Sequence, residues 1–510
     1  MASYLTIVSI CGCSDVPPPT NASGNASRGD ETALRLVARF QRAVQRRDRS
    51  EIVDRLRELV ALRAPLADQW LQLSLMSVDL GEIGLVRQAI DLYVESFGGS
   101  PAALHRKIGI LARIGAFDEA LALARAMPVT EPDPFSYALS RGAAAINAGE
   151  PEEARQWLGE AIRMRPNSGS AWHSIAQLVD FADEPALASQ AIAAEAEMRG
   201  APPAERALYH YALSKAYAAQ GEHARAFAAA ARAASETKAL FPYDRRVDRQ
   251  TAVEAVAGYD PGRIASIARQ QSEPTGRSVF VMGSPRSGTT LIEQVLTAHS
   301  EVCDGGEIDL LRLLVHEAGD ASYPALDRYV AGKGASSLAL LWHHLLDERF
   351  PKAGRIVDKT TDTSRKLGLA ASVLPEAPLI WLKRDPLDCA WSCFRTCFMA
   401  GIRWSNDLSD IAFNFRLEDE LLDRWQRNLG DRLLVVPFEQ LVTEPEPWIR
   451  AMLSHCGLAE EPRAFAPHEN RRVVTTASAM QVRRPINRTG IGSAEPYREH
   501  LKPFIQAYYG

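Results

Sequence analysis

The spacing of apolar and polar residues divides this chain into a helical part and a mixed part. From residue 31 to about residue 240, the sequence is rich in Ala, Leu, Arg and Glu, is punctuated by Gly or Pro, and contains no convincing strand. Short apolar runs of strand type come later; the first is Ser278–Met282, and apolar residues at helical spacing follow it. The pattern predicts an all-α N-terminal solenoid and a C-terminal α/β, P-loop-like domain with a parallel central sheet.

A period of 34 residues runs through the helical part. Similar turns occur at Gly81, Gly115 and Gly149, each 34 residues after the last. This helix-turn-helix period is typical of tetratricopeptide repeats, and Trp70 and Trp172 stand where the repeat pattern has its large first-helix residue. We therefore predict a tetratricopeptide-type array over residues 31–240, degenerate in its outer repeats. Its groove suits a peptide or a partner helix, but the repeats would serve equally well as a scaffold or a dimerisation surface.

Two segments flank the array. Residues 1–30 contain an apolar stretch without a basic start and a run rich in Pro, Asn, Ser and Gly. They predict a flexible N-terminus, and whether the apolar stretch is a processed leader stays open. Residues 241–277 contain several proline turns and predict a linker with one short helical piece at 250–257. No run is long and apolar enough for a transmembrane helix, so we predict a cytoplasmic protein.

Composition and charge exclude several classes of function. The chain has 510 residues, of which 46% are apolar and 24% charged, as in a soluble globular protein of two or more domains. A net charge of −5 gives no whole-chain reason to expect nucleic-acid binding. Seven cysteines at uneven spacing do not describe a disulfide framework, and no cluster with metal-ligand spacing is evident. We therefore expect neither a disulfide scaffold nor a metal.

A glycine-rich loop follows the first predicted strand. Strand, loop and helix in this order form a phosphate cradle, because glycines let the backbone approach an anion and the first N–H groups of the helix point at it. The spacing of Gly283 and Gly288 copies a P-loop, but Thr289 stands where a P-loop has its phosphate-binding Lys. Arg286 supplies the cation instead. Such a loop suits a nucleotide with a smaller, metal-free 5′ anion rather than a triphosphate with Mg²⁺.

The same loop resembles that of a known enzyme family. Its sequence Pro-Arg-Ser-Gly-Thr-Thr is similar to the 5′-phosphosulfate loop of the sulfotransferases that use 3′-phosphoadenosine 5′-phosphosulfate (PAPS). Further motifs of that family follow in order over residues 278–510, which resemble the tyrosylprotein sulfotransferases in particular. The resemblance implies that the loop binds PAPS through Pro285, Arg286, Ser287, Gly288, Thr289 and Thr290.

Two downstream residues match catalytic positions of that family. Glu307 follows Arg286 by 21 residues and comes directly after the glycine pair 305–306, for which we expect a flexible turn. A Glu at this spacing is the catalytic base in tyrosylprotein sulfotransferases; Glu301 is the competing carboxylate. Lys359 comes directly after a short buried strand, where open α/β sheets place ligand-binding groups. It matches the Lys that contacts the bridging oxygen of the donor. The resemblance implies that Lys359, with Arg286, stabilises charge on the leaving phosphate.

A second phosphate site is predicted around the next buried strand. Arg384 follows that strand, and Asp385 predicts an acidic N-cap for a helix that begins near Pro386. Ser392 lies eight residues beyond Arg384, within that helix. An Arg can fork two phosphate oxygens while a Ser donates a further hydrogen bond. The combination matches the 3′-phosphate site of PAPS-dependent sulfotransferases. Ser478, in a C-terminal loop, stands in the place of the family's nucleotide-site Ser.

Together these motifs predict transfer of the sulfuryl group of PAPS to a hydroxyl acceptor. The resemblance and the repeats favour a protein or peptide acceptor, with tyrosine as one option; a carbohydrate or small-molecule hydroxyl stays open, as does a homodimer. Two other classes are less favoured. A P-loop kinase or NTPase needs the missing Lys and an acidic Mg²⁺ site. A non-catalytic repeat adaptor would be expected to lose the charged site residues, which are all present here.

Overall fold

A computed structural model describes residues 28–351, 354–398, 401–470, 472–474 and 482–510 of the chain. The chain divides into two compact units. One holds the described residues up to Ala144 together with His344–Pro351, and the other holds Ala145–His343 and the described residues after Pro351. The domain limits expected from the sequence, at residues 30, 240 and 277, stay predictions.

The first unit is built of helices, as the sequence predicts for this region. Side chains start several of them: Asp48 accepts a hydrogen bond from the backbone N–H of Glu51, and Ser100 accepts one from that of Ala103. The first four helices share an apolar core that includes Trp70, which is 1% exposed. The helices of this unit are Arg28–Arg46, Arg49–Ala61, Gln69–Leu80, Ile83–Ser96, Pro101–Arg113, Phe117–Ala126 and most of Pro134–Ala148.

Glycines with left-handed backbones separate the paired helices. Gly81, Gly115, Gly149 and Gly221 have φ values between 76° and 78°. A glycine adopts this conformation without the steric strain that a Cβ brings, so the chain can leave one helix and begin the next within two or three residues. The 34-residue spacing of the first three therefore corresponds to real corners between helices. Assignment of these pairs to tetratricopeptide repeats stays a prediction.

The second unit begins with more helices. The connector contains two helices, Arg245–Val256 and Pro261–Ala268, where the sequence analysis expected one short piece at 250–257. The side chains of Asp244 and Asp260 start them by accepting hydrogen bonds from the backbone N–H groups of the first turns. The helices before the connector are Pro151–Met164, Gly169–Leu178, Pro185–Ala193, Pro203–Ala219 and His223–Leu240.

Five parallel strands form the central sheet of the second unit, which confirms the predicted sheet. The order across the sheet is β2-β3-β1-β4-β5, and every pairing is parallel. The central strand β1 is buried along its whole length because both faces of the sheet are covered. The strands are β1 (Ser278–Met282), β2 (Val302–Gly306), β3 (Arg355–Asp358), β4 (Leu379–Lys383) and β5 (Leu433–Pro437).

Strand order creates a crevice beside β1. From β1 the chain moves to β2 and β3 on one side and then crosses to β4 and β5 on the other. Open α/β sheets bind ligands outside the carboxyl ends of the strands at such a switch of direction. The loops after β1 and β4 therefore carry the residues that line this crevice.

Helices cover both faces of the sheet. Ile292, Val295 and Leu296 are fully buried against Val279 and Val281 of β1, which confirms the helical face predicted after the first strand. No described helix is long and apolar enough to cross a membrane. The described helices of the second unit after β1 are Thr289–Leu296, Leu311–Ala318, Tyr323–Lys333, most of Ser336–Arg349, Leu367–Val373, Pro386–Phe394, Leu408–Leu429, Phe438–Thr443, Pro445–His455 and Lys502–Tyr509.

The edge strand β2 is a feature that the sequence analysis missed. Gly305 and Gly306 were expected to form a flexible turn, but they end a strand that pairs with β3 through an irregular register after Asp304. A Cβ on Gly305 would collide with the carbonyl oxygen of Val357, so glycine is required for the close approach of the two strands. Such an irregularity redirects the side chains that follow it, here Glu307.

Candidate active site

The loop between β1 and the helix Thr289–Leu296, here the loop helix, lies tightly against the sheet. Gly288 has a φ of 111°, and a Cβ there would lie 2.8 Å from the ring of Phe438. Only glycine fits both restrictions. Arg286 has a φ of 69° although it carries a side chain. This conformation costs on the order of 1–3 kcal/mol and is found most often where a ligand or a reaction requires it.

The first turn of the loop helix has no side-chain cap. Its N-cap residue is Gly288, and no side chain accepts a hydrogen bond there. By contrast, Asp385 caps the helix Pro386–Phe394, here the serine helix, by accepting from the N–H of Asp388 at 2.9 Å, as the sequence predicts. An uncapped N-terminus carries the positive end of the helix dipole and favours an anion in place of the missing cap.

Three residues predicted to bind the donor meet in the crevice between β1 and β4. Arg286 Nε donates a hydrogen bond to Ser392 Oγ at 2.9 Å, and Arg384 donates to the carbonyl oxygen of Arg286 at 2.9 Å. The guanidinium of Arg384 also lies over the ring of Phe438, 4.5 Å from its centroid. The loop arginine and the predicted 3′-phosphate pair, which are far apart in the sequence, are therefore neighbours in the fold.

Two polar atoms of the same crevice are buried and have no hydrogen-bond partner among the described residues. They are Ser287 Oγ and Arg384 Nε. An unpaired buried polar group costs roughly 1–3 kcal/mol, so folded proteins contain few of them. Both belong to residues predicted to bind the donor, and the oxygens of a phosphate or sulfate group would satisfy them. This part of the chain therefore has the chemistry of an anion site.

Cations crowd this crevice. Burial lowers the pKa of Arg286, and the positive charges of Arg395 and Arg384 lower it further. Burial and Arg384 likewise lower the pKa of Arg395. Like charges this close repel one another, and an anion placed among them would remove that repulsion. The electrostatics of the crevice thus fit a polyanionic nucleotide.

Glu307 and Lys359 form an ion pair at the carboxyl ends of β2 and β3. Lys359 Nζ donates to Glu307 Oε1 at 2.9 Å; the Lys side chain is 2% exposed and the Glu side chain 51% exposed. An exposed carboxylate is accessible to a substrate that arrives from solvent, as a general base needs to be. Glu301, the competing carboxylate, precedes β2 and so lies at the amino ends of the parallel strands, whereas Lys359 lies at their carboxyl ends.

A buried group of charged residues lies beside Lys359, and the sequence analysis did not find it. Arg472 donates to Glu293 at 2.7 Å and also bonds Asp304. The second oxygens of these two acids, Glu293 Oε1 and Asp304 Oδ1, are buried and meet no donor among the described residues. Burial, opposed by Lys359 and Arg472, raises the pKa of Glu293 to about 8.

The remaining predicted donor residues lie around the loop. Pro285 is buried, and its carbonyl oxygen accepts a hydrogen bond from Cys393 Sγ at 3.2 Å, which ties the loop to the serine helix a second time. Thr290 is buried and Thr289 is half-buried in the first turn of the loop helix. Ser478 lies outside the described residues.

A cavity of about 470 Å³ lies beside the loop. Its wall includes Pro285 of the loop and Thr361, two residues after Lys359. Tyr243 of the connector and Trp404 supply aromatic surface, and polar residues that include Asp248 complete the lining. A cavity of this size holds a small ligand or one large side chain. Its position next to both predicted catalytic segments makes it the candidate acceptor site.

One group of side chains in the first unit has the donor set of a metal site. The ligand atoms of Glu82, His344 and Glu348 lie within 4.8 Å of one another. Each also takes part in another contact: Glu82 accepts from Arg49 at 2.6 Å and from His344 at 3.0 Å, and Glu348 accepts from the N–H of Gly84 at 2.7 Å. These hydrogen bonds already account for the group.

Comparison with known proteins agrees with this geometry. Residues 278–462 match the family model described as "Sulfotransferase family". The C-terminal domain belongs to the sulfotransferase family. The matched segment of this sulfotransferase domain contains the loop, the Glu307–Lys359 pair and the serine helix. It contains neither the helical array nor Arg472.

Two curated relatives resemble parts of the chain at low identity. An uncharacterized protein of Aquifex aeolicus is 28% identical over 377 residues, which cover 70% of this chain and 48% of the relative. Protein-tyrosine sulfotransferase 1 of Danio rerio is 24% identical over 201 residues, which cover 34% of this chain and 51% of the relative. The chain therefore spans about half the length of these two curated relatives.

A solved structure also resembles the chain. The sulfotransferase domain from the Synechococcus PCC 7002 olefin synthase is 18% identical, and the alignment covers 45% of this chain and 97% of that domain with a TM-score of 0.31.

Proposed function

We propose that this protein transfers the sulfuryl group of PAPS to a hydroxyl group of a protein or peptide. The observation that carries the proposal is the pair of buried, unpartnered atoms Ser287 Oγ and Arg384 Nε in a crevice crowded with cations. Folded proteins rarely leave buried polar atoms without a hydrogen-bond partner, so we infer that a ligand supplies the partners of these two atoms. Membership of the domain in the sulfotransferase family supports a donor that carries phosphate and sulfate.

The donor would be bound at both ends of its anionic part. Arg384 and Ser392 would hold the 3′-phosphate, since an Arg fork with a neighbouring hydroxyl offers three donors to one phosphate. The 5′-phosphosulfate would take the place of the missing cap at Gly288. Arg286 stands between the two sites, because its side chain bonds Ser392 while its backbone belongs to the loop.

The reaction needs one proton acceptor and a stabilised leaving group. The acceptor oxygen forms a bond to sulfur as the bond from sulfur to the 5′-phosphate oxygen breaks, which yields a sulfate ester and 3′-phosphoadenosine 5′-phosphate (PAP). Glu307 takes the acceptor proton. Lys359 and Arg286 stabilise the negative charge that appears on the departing phosphate. The ion pair between Glu307 and Lys359 would open as the acceptor hydroxyl and the donor arrive.

The cavity beside Pro285 is the proposed entry for the acceptor. Its volume of about 470 Å³ accommodates a tyrosine side chain with adjoining backbone. The Danio rerio relative is named a protein-tyrosine sulfotransferase, which supports a tyrosine hydroxyl as the acceptor. The connector, which precedes the family segment, supplies Tyr243 and so adds a wall that the family segment lacks.

Sulfate transfer from labelled PAPS to proteins of a host lysate tests the proposal directly. The wild-type protein is expected to transfer the label to lysate proteins. Glu307→Ala and Lys359→Ala are expected to transfer far less label, with a Kd for PAP within a fewfold of the wild-type value. Glu301→Ala serves as the matched control because that carboxylate lies at the opposite, amino end of β2. Equal labelling by all variants, or tighter binding of ATP than of PAP by the wild type, would contradict the proposal.

A further inference from the structure

The helix Pro203–Ala219, here the lysine helix, contacts the sulfotransferase domain within the second unit. Tyr211 is buried on this helix, and its hydroxyl donates to Asn406 Oδ1 at 3.1 Å. Asn406 lies in the short turn that carries Trp404 of the cavity wall. One face of the lysine helix is therefore turned towards the candidate active site.

The next helix, His223–Leu240, fixes this arrangement through the serine helix. The ring of Phe227 stacks on Trp391 at 5.8 Å and on Phe394 at 5.6 Å between ring centroids. These two aromatic residues flank Ser392 in the sequence, and Arg395 follows them. Aromatic stacking of this kind adds to the apolar contact between the two elements and fixes their relative orientation.

Lys215 occupies the lysine helix one turn after Tyr211 and so lies on the same face. Its side chain is exposed to solvent, and its Nζ donates to the carbonyl oxygen of Ala176 at 2.7 Å. Surrounding protein nevertheless lowers the pKa of Lys215 to about 8, and the charges of Arg395 and Arg286 lower it further. These charge interactions indicate that Lys215 lies near Arg395 and Arg286 of the donor crevice.

Among the described residues, the acidic group that raises the pKa of Lys215 is Asp180, and its effect is weaker than that of either arginine. His173, on the helix Gly169–Leu178, has its pKa lowered to about 4 by burial and by Lys215, so it is neutral near pH 7. The ammonium therefore stands beside two guanidinium groups with little compensating negative charge, as in sites that bind an anion.

We propose that Lys215 binds a phosphate group of the donor beside Arg286 and that the helical array thereby supplies part of the nucleotide site. The inference rests on the proposed function, because it takes PAPS as the donor. Arg286, which bonds Ser392 of the predicted 3′-phosphate pair, is one of the two cations beside Lys215. The residue lies 63 positions before the family segment begins, so the family match does not include it.

The competing role for Lys215 is structural. Its hydrogen bond to Ala176 lies in the last turn of the helix Gly169–Leu178, where a cation stabilises the unpaired carbonyl groups. A purely structural lysine would affect thermal stability and leave nucleotide affinity unchanged. The two roles therefore predict different measurements.

Nucleotide-binding measurements on three variants distinguish a nucleotide-binding role of Lys215 from a structural one. The KM for PAPS and the Kd for PAP would be measured for the wild type, Lys215→Met, Lys215→Arg and the control Lys333→Met, whose ammonium pairs with Glu317. We expect Lys215→Met to raise both constants roughly tenfold, since it removes one cation from a partly buried anion site. Lys215→Arg and Lys333→Met are expected to stay within about twofold of the wild type. Constants for Lys215→Met within about twofold of the wild type would overturn the inference, with or without a change in Tm.

A pH series gives a readout that a structural role would not produce. The wild-type Kd for PAP should rise between pH 7 and pH 9 as Lys215 loses its proton near pH 8, whereas Lys215→Arg keeps its charge and should show a flatter profile. Identical profiles for the two proteins would overturn the inference even if Lys215→Met does not fold. If the wild type neither binds PAP nor transfers sulfate, the proposed function itself fails, and this outcome is distinct from wild-type activity with no effect at Lys215.

Discussion

Replacing Glu293 by Gln should make the stability of the protein less dependent on pH. Glu293 is 1% exposed and accepts from Arg472 at 2.7 Å, and burial raises its pKa to about 8. A Gln side chain copies the protonated acid, because its carbonyl oxygen can accept from Arg472 and its amide can donate to Asp304. The variant therefore keeps the hydrogen bonds of the acid form and cannot lose the proton.

The magnitude follows from the difference between the folded and unfolded pKa values. Folding raises the pKa of Glu293 from 4.5 to about 8, so the folded protein holds this proton more tightly than the unfolded chain does. The stabilisation is complete below pH 4.5 and is lost as the pH rises through 8. At about 1.4 kcal/mol for each pH step, the full interval corresponds to on the order of 5 kcal/mol.

Urea unfolding at pH 5, 6.5 and 8 measures this difference. We expect Glu293→Gln and the wild type to have similar free energies of unfolding at pH 5, and the variant to be more stable by several kcal/mol at pH 8. Glu301→Gln, at an exposed position, is the matched control and should show no such divergence. A stability difference between Glu293→Gln and the wild type that does not change with pH would refute the raised pKa of Glu293.

Three further predictions concern the nucleotide and acceptor sites. Arg384→Ala should weaken PAP binding by roughly tenfold to a hundredfold, because a charge-assisted bidentate contact contributes about 1.5–3 kcal/mol; calorimetric titration that finds wild-type affinity would contradict the 3′-phosphate role. Gly288→Ala should lower both Tm and PAP affinity, since its Cβ would displace the Phe438 ring on which Arg384 rests; a fully folded variant with normal affinity would exclude this coupling. Trp404→Ala should raise KM for the acceptor and leave KM for PAPS nearly unchanged, and the opposite pattern would move the acceptor away from this cavity.

Local patterns predicted a large part of the candidate site. Strand, glycine loop and helix were read correctly between residues 278 and 296 because each is set by a few neighbouring residues. The acidic cap at Asp385 and the strand before Lys359 were likewise local and are confirmed. The roles of the residues in these elements came from the resemblance to a family, and they stay predictions until activity is measured.

Strand β2 shows where local patterns fail. Its sequence, Val-Cys-Asp-Gly-Gly, has little of the β-branched or aromatic character of a strand, so a turn was expected at its end. The segment is extended because the neighbouring strand β3 offers a row of backbone partners and Gly305 permits the close approach. A long-range pairing outweighed the preference of the segment itself.

The sequence alone was sufficient to predict most elements of the sulfotransferase domain and the loop that would approach an anion. The backbone geometry of these elements depends on residues only a few positions apart. Two clusters of charged side chains could be recognised only in the folded protein. Arg472 reaches Glu293 across 179 positions of sequence, and Lys215 reaches the surroundings of Arg286 from the helical array. Neither contact has a local signature, because strand order and helix packing, rather than spacing in the sequence, set the distance between those side chains.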